Sequence, residues 1–149
     1  MKSISHVMVP VNGKPGDEEA LQVAFAFARK GKIKITAVHV VEVRRSLPLE
    51  MELPAETSQG EQLLERIEEL AQHNGCHIEA ELLQARSAGV AIVDEVFHLK
   101  ADLIIMALPY RSRFGEFHLG ETSNYILNHA TCRVWLVRDS YDTATESAA

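Results

Sequence analysis

ISHVMVPVNGKPGDEEALQVAFAFARKG, residues 4–31, reads as one strand, one turn and one helix in succession. The run Ile4 to Val11 is rich in β-branched residues and stops at Asn12-Gly13, the pattern of a buried strand followed by a turn. Lys14 to Gly16 is loop. Asp17 has the character of an N-cap, with Glu18 and Glu19 in the first turn complementing the partial positive charge of a helix start. Ala20, Leu21, Ala24, Phe25 and Ala28 recur at helical spacing, and Gly31 closes the helix.

The same alternation continues outward. Lys32 to Val43 is a second strand, and Arg44 to Thr57 a loop carrying Pro48 and Pro54. Ser58 and Glu61 form a capping box for a second helix whose apolar stripe is Leu63, Leu64, Ile67, Leu70 and Ala71. Asn74-Gly75 ends it. Ile78 to Gln84 alternates in polarity, as expected of a strand near a sheet edge. A third helix runs from about Gly89 with Ile92, Val93, Val96 and Phe97 inward. Ala101 to Ala107 is apolar enough for the sheet centre, Leu108 to His118 is loop, and a last helix spans about Leu119 to Ala130. Cys132 to Arg138 is the final strand, and 141–149 is an expected frayed tail.

Strands alternating with helices imply right-handed crossovers and a five-stranded parallel sheet covered by helices on both faces. In a doubly wound sheet of order 3-2-1-4-5, ligands enter where the strand order reverses, beyond the carboxyl ends of the strands. That brings together the loops Asn12 to Gly16 and Leu108 to Gly120.

A chain of 149 residues with 46% hydrophobic and 24% charged content suits a single globular domain, here 1–140. The net charge of −6 argues against nucleic acid or an anionic membrane as partner, although local basic patches fit within that balance. Cys76 and Cys132 lack the spacing of a disulfide framework and are expected to be buried free thiols. Met1 to Val11 resembles neither a signal peptide nor a membrane span, which points to the cytoplasm and to no direct membrane insertion.

ADLIIMALPYRSRFGEFHLGETSNYILNHATCRVWLVR, residues 101–138, resembles the carboxyl-terminal half of universal stress proteins. HVMVPVNG, EEALQVAFAFA, VHVVEV and the Gly89 helix resemble other parts of that family, so the likeness reaches Arg138. It implies a Rossmann-like fold of the adenine nucleotide alpha hydrolase type and a role in stress response. ATP-binding members carry G-x2-G-x9-G-[ST] after the fourth strand and usually an aspartate after the first. Glycines let backbone N–H groups approach phosphate, and the last one opens a helix whose start favours anions. The motif positions fall here on Ala107, Tyr110, Gly120 and Glu121, and the aspartate position on Asn12.

Only the last glycine survives. Tyr110 is bulky where backbone should come close, Pro109 lacks an N–H, and Glu121 puts a carboxylate at the helix start. A carboxylate about 4 Å from a phosphate charge costs about 4 kcal/mol at an effective dielectric near 20. A micromolar ligand has only about 8 kcal/mol in all. The expectation is therefore a non-catalytic regulatory homodimer that does not bind ATP in the family's usual mode and has no cofactor. The alternative is a nucleotide sensor taking AMP, ATP or a cyclic dinucleotide in a remodelled crevice. Its candidate lining is Val11, Asn12, Val41, Ala107, Tyr110, Arg111, Arg113, Gly120, Glu121 and Thr122. Arg111 and Arg113 have the chemistry to clamp a phosphate with His118, or are solvated loop charges paired with Glu116 or Glu121.

No G-x-S-x-G, H-E-x-x-H or Walker lysine motif occurs, so nothing names an enzyme. His73, Cys76 and His77 lack a fourth ligand for structural zinc and read as a helix end, turn and strand start. His39 and His129 read as packing or hydrogen-bonding residues. The last strand should lie at a sheet edge, where Val134, Trp135, Leu136 and Val137 offer one face to the core and another to a second copy. The family's habit of accompanying membrane transporters implies a transporter, or another unidentified protein, as a further partner.

Overall fold

The computed structural model describes residues 3–108 and 119–138, together with the backbone of 112–113 and 116–117. The elements follow the alternation read above: β1 His6–Pro10, α1 Gly16–Ala28, β2 Lys34–Glu42, α2 Pro54–His73, β3 Glu79–Ala85, α3 Ala88–Leu99 and β4 Leu103–Leu108. Then come two short strands, β5 Ser112–Arg113 and β6 Glu116–Phe117, followed by α4 Glu121–His129 and β7 Arg133–Arg138. Five strands form one sheet in the order β3-β2-β1-β4-β7. Every pairing within it is parallel, and Met8 sits between Thr36 of β2 and Ile104 of β4.

Period-2 alternation along the central strands sorts the core into two layers. Val7, Val9, Ile35, Ala37, Leu103 and Ile105 meet α1 and α2 through Leu21, Phe25, Leu63 and Ile67. Met8, Val38, Ile104 and Met106 face the other way and meet Ile92, Val96 and Ile126 of α3 and α4. Gly89 lets those last two helices touch, because a β-carbon there would lie 2.9 Å from the Tyr125 β-carbon.

Several local expectations are corrected. α2 starts at Pro54, so Ser58 and Glu61 lie inside it rather than capping it. Proline fits the first helical position because its missing N–H would have no partner there in any case. Phe97 is 81% exposed. It follows Val96 by one residue, and the ~100° turn this implies carries it off the buried stripe. The connection after β4 contains the antiparallel pair β5–β6 in a segment read as loop. Both cysteines are free but only half-buried, and burial pushes the Cys132 thiol above its usual pKa. The 141–149 tail lies outside the described residues. Among the described residues, no helix is long and apolar enough to cross a membrane.

Candidate functional site

At the carboxyl end of β1, Val11 is buried and its N–H still bonds Val38 of β2 at 2.9 Å. The chain then turns. Gly13 takes a positive φ of 85°, which glycine adopts without steric cost. Asn12 Oδ1 accepts from the Lys14 N–H at 2.9 Å, so this side chain is engaged in shaping its own turn.

Asp17 departs from the N-cap role expected of it, since α1 begins at Gly16 and Asp17 lies in its first turn. Its carboxylate points back and accepts from the Asn12 N–H at 3.2 and 3.1 Å and from the Gly13 N–H at 2.7 Å. Turn N–H groups of this kind make an anion-binding concavity. Here the anion is supplied from within. Asp17 is 8% exposed. Burial raises its pKa above the ordinary 3.8, while the bonds from Gly13 and Asn12 and the charges of His39 and Lys14 pull it part of the way back.

Across the switch point, the His39 ring lies 2.9 Å from the Val11 carbonyl through Nδ1. A carbonyl only accepts, so Nδ1 carries the proton and, in the neutral ring, Nε2 is left as an acceptor. α2 passes close above. A β-carbon on Gly60 would lie 2.7 Å from Leu82 Cδ1 and 2.9 Å from His39 Cδ2, so only glycine permits this approach. Between β1, β2 and α2 opens a cavity of about 470 Å³ lined by Asn12, Gly13, His39, Val40, Val41, Glu42, Glu56, Gln59, Gln62, Leu63 and Arg66. That volume is within the range of small-molecule sites.

Of the sequence-derived candidates, Asn12 and Val41 share this cavity. Ala107, next to last in β4, lies against the start of α1, where a methyl on Gly16 would come within 3.0 Å of the Ala107 β-carbon. Gly120 is the extended N-cap of α4, with no side-chain cap; Glu121 is exposed in the first turn and Thr122 half-buried beside it. None of these lines the cavity. Tyr110, Arg111 and His118 lie outside the described residues, as does the Arg113 side chain. The polar wall from α2 was not anticipated. Its signal was a stripe at Gln59, Gln62 and Arg66, spaced three and four residues apart beside the apolar one.

β7 lies at the sheet edge and pairs with β4. Trp135 meets Phe27 of α1 edge-on at 5.2 Å, and Val137 packs on the same layer. Val134 packs on the opposite layer, while Leu136 remains 38% exposed. Among the described residues, no group of three His, Cys, Asp or Glu side chains is placed to hold a metal ion.

Residues 3–138 match the universal stress protein family. A universal stress protein of Methanocaldococcus jannaschii is 28% identical over 138 residues, covering 89% of this chain and 81% of the relative. Two solved structures share the fold. The universal stress protein of Archaeoglobus fulgidus in complex with dAMP is 18% identical at a TM-score of 0.70, covering 91% of this chain and 98% of its own. A universal stress protein family protein of Arabidopsis thaliana with AMP bound is 20% identical at 0.69, covering 93% and 94%.

Proposed function

Because the chain belongs to the universal stress protein family, we propose that it is a non-catalytic, cytoplasmic regulatory domain that takes an adenine nucleoside monophosphate in preference to ATP. The observation that carries this is an open cavity beside a loop whose anion-binding N–H groups already hold the Asp17 carboxylate. Room remains for a base and sugar between Val41, the Gln59 and Gln62 amides and Asn12. A triphosphate would run on toward Asp17 and the start of α4, where Glu121 adds a second carboxylate. Like charges there oppose each added phosphate. Relatives solved with dAMP and AMP support the same ligand class. Nucleotide released from the purified protein on denaturation is expected to be a monophosphate; recovery of ATP alone would overturn the preference.

Self-association through β7 belongs to the same proposal. As the last strand in the sheet order, β7 has the position from which a second strand can extend the sheet, and the exposed Leu136 offers apolar contact. A two-fold antiparallel pairing is the simplest closed arrangement. The N–H groups of Val134 and Val137 point to opposite sides of β7, one toward β4 and one outward. Of Val134→Pro and Val137→Pro, the one that removes the outward donor should shift the protein from dimer to monomer in sedimentation velocity with the fold intact. A monomer at tens of micromolar before any substitution would exclude edge pairing.

A further inference from the structure

Arg29-Lys30-Gly31-Lys32-Ile33-Lys34 places four of the chain's fifteen lysines and arginines within six residues of a protein whose net charge is −6. The segment links α1 to β2 at the amino end of the sheet, opposite the nucleotide crevice. There it borders a second cavity, of about 630 Å³, with Ala28, Ile33 and Cys76 as apolar lining and Arg29, Lys32, Lys34 and His77 as polar lining. The carboxylate that lines it, Glu79, is paired with Lys34 at 3.2 Å.

Arg29 is engaged internally, donating to the Asn74 carbonyl and to Asn74 Oδ1 at 3.2 and 3.1 Å, and so already serves the end of α2. Lys30 and Lys32 are exposed, and among the described residues neither side chain has a hydrogen bond or ion pair. Their charge therefore exceeds what the fold uses locally.

We propose that this face docks an acidic segment of another protein, its carboxylates meeting Lys30 and Lys32 and an apolar side chain entering the pit over Ala28, Ile33 and Cys76. The chemistry separates this occupant from its rivals. The ends of α1 and α2 that converge here present carbonyls, so a lone phosphate finds no cradle of backbone N–H groups. Nucleic acid would need a longer basic stripe and would be repelled by the remainder of a net negative surface. A flat bilayer has no side chain to place in a recessed apolar pit. A carboxylate-rich segment satisfies both the rim and the floor, and steering by the exposed lysines would make its association salt-dependent.

The test uses the full chain and a fluorescein-labelled ten-residue peptide of alternating glutamate and leucine, followed by anisotropy. Binding is expected at 50 mM NaCl, weakened about tenfold at 300 mM, and weakened at least tenfold by Lys30→Glu with Lys32→Glu. Arg45→Glu, an exposed charge reversal elsewhere, should leave it unchanged. Equal binding by the Lys30/Lys32 variant, or no binding at low salt, overturns the proposal. So does a preference for sodium tripolyphosphate, a single-stranded RNA oligomer or phosphatidylglycerol vesicles over the peptide. Circular dichroism of the double variant confirms that lost binding is not lost folding.

Discussion

Asp17→Ala is expected to lower the unfolding free energy by about 2 kcal/mol, the cost of removing a buried acceptor from two backbone donors. Asn12 and Gly13 lie at an exposed turn, so water recovers part of the loss and holds it below the upper end for fully buried groups. The effect should also vary with pH in a definite direction. Burial raises the Asp17 pKa in the folded state above 3.8. More protons are then bound folded than unfolded, so stability falls as pH rises from 3.8 through the folded value. Alanine removes that dependence. The stability gap between the two proteins should therefore be widest in acid and narrow toward neutral pH, other carboxylates cancelling in the difference. Urea titrations of both proteins from pH 3 to pH 8 measure it. A gap that widens with pH would show that Asp17 is held chiefly as the ion.

Glu121→Ser should strengthen Mg-ATP binding about tenfold, or about 1.4 kcal/mol, with little change for AMP. The full Coulomb penalty at close range is larger, about 4 kcal/mol at an effective dielectric near 20. Glu121 is exposed, however, and solvent screens it. Serine also restores a hydroxyl donor beside the uncapped start of α4. Glu121→Gln separates the two contributions, since it removes the charge without supplying the short hydroxyl. Calorimetric titration of the three proteins with Mg-ATP reads the result. Unchanged ATP affinity in both variants would mean that α4 does not face the phosphates.

The sheet was legible because β1, β2, β4 and β7 are apolar runs carrying β-branched residues, because β3 alternates in polarity, and because the βα alternation leaves few topologies. The misses share one cause, local patterns that tertiary packing overrides. Asp17 before two glutamates looks like a cap whether its carboxylate serves its own helix or the preceding turn. Only the return of that turn over α1 decides, and it depends on Gly13 and the fit of Gly16 against Ala107. Ser58 and Glu61 satisfy a capping pattern, yet Pro54 extends α2 past them. Phe97 continues an apolar run but lies one residue beyond the stripe. The crevice was half legible. Asn12 and Val41 follow from strand ends, whereas the α2 wall depends on which side of that helix meets β2. Gly60 was the available clue, since a glycine within a helix often marks a close approach.

Preference for a monophosphate over ATP is the central claim, and parallel calorimetric titrations of the unmodified protein with AMP and Mg-ATP test it most directly. AMP is expected to bind at least tenfold more tightly, and at 100 times its Kd to stabilise the fold by about 2.7 kcal/mol. Mg-ATP binding as tight as AMP, or no heat from either nucleotide at millimolar concentration, would contradict it.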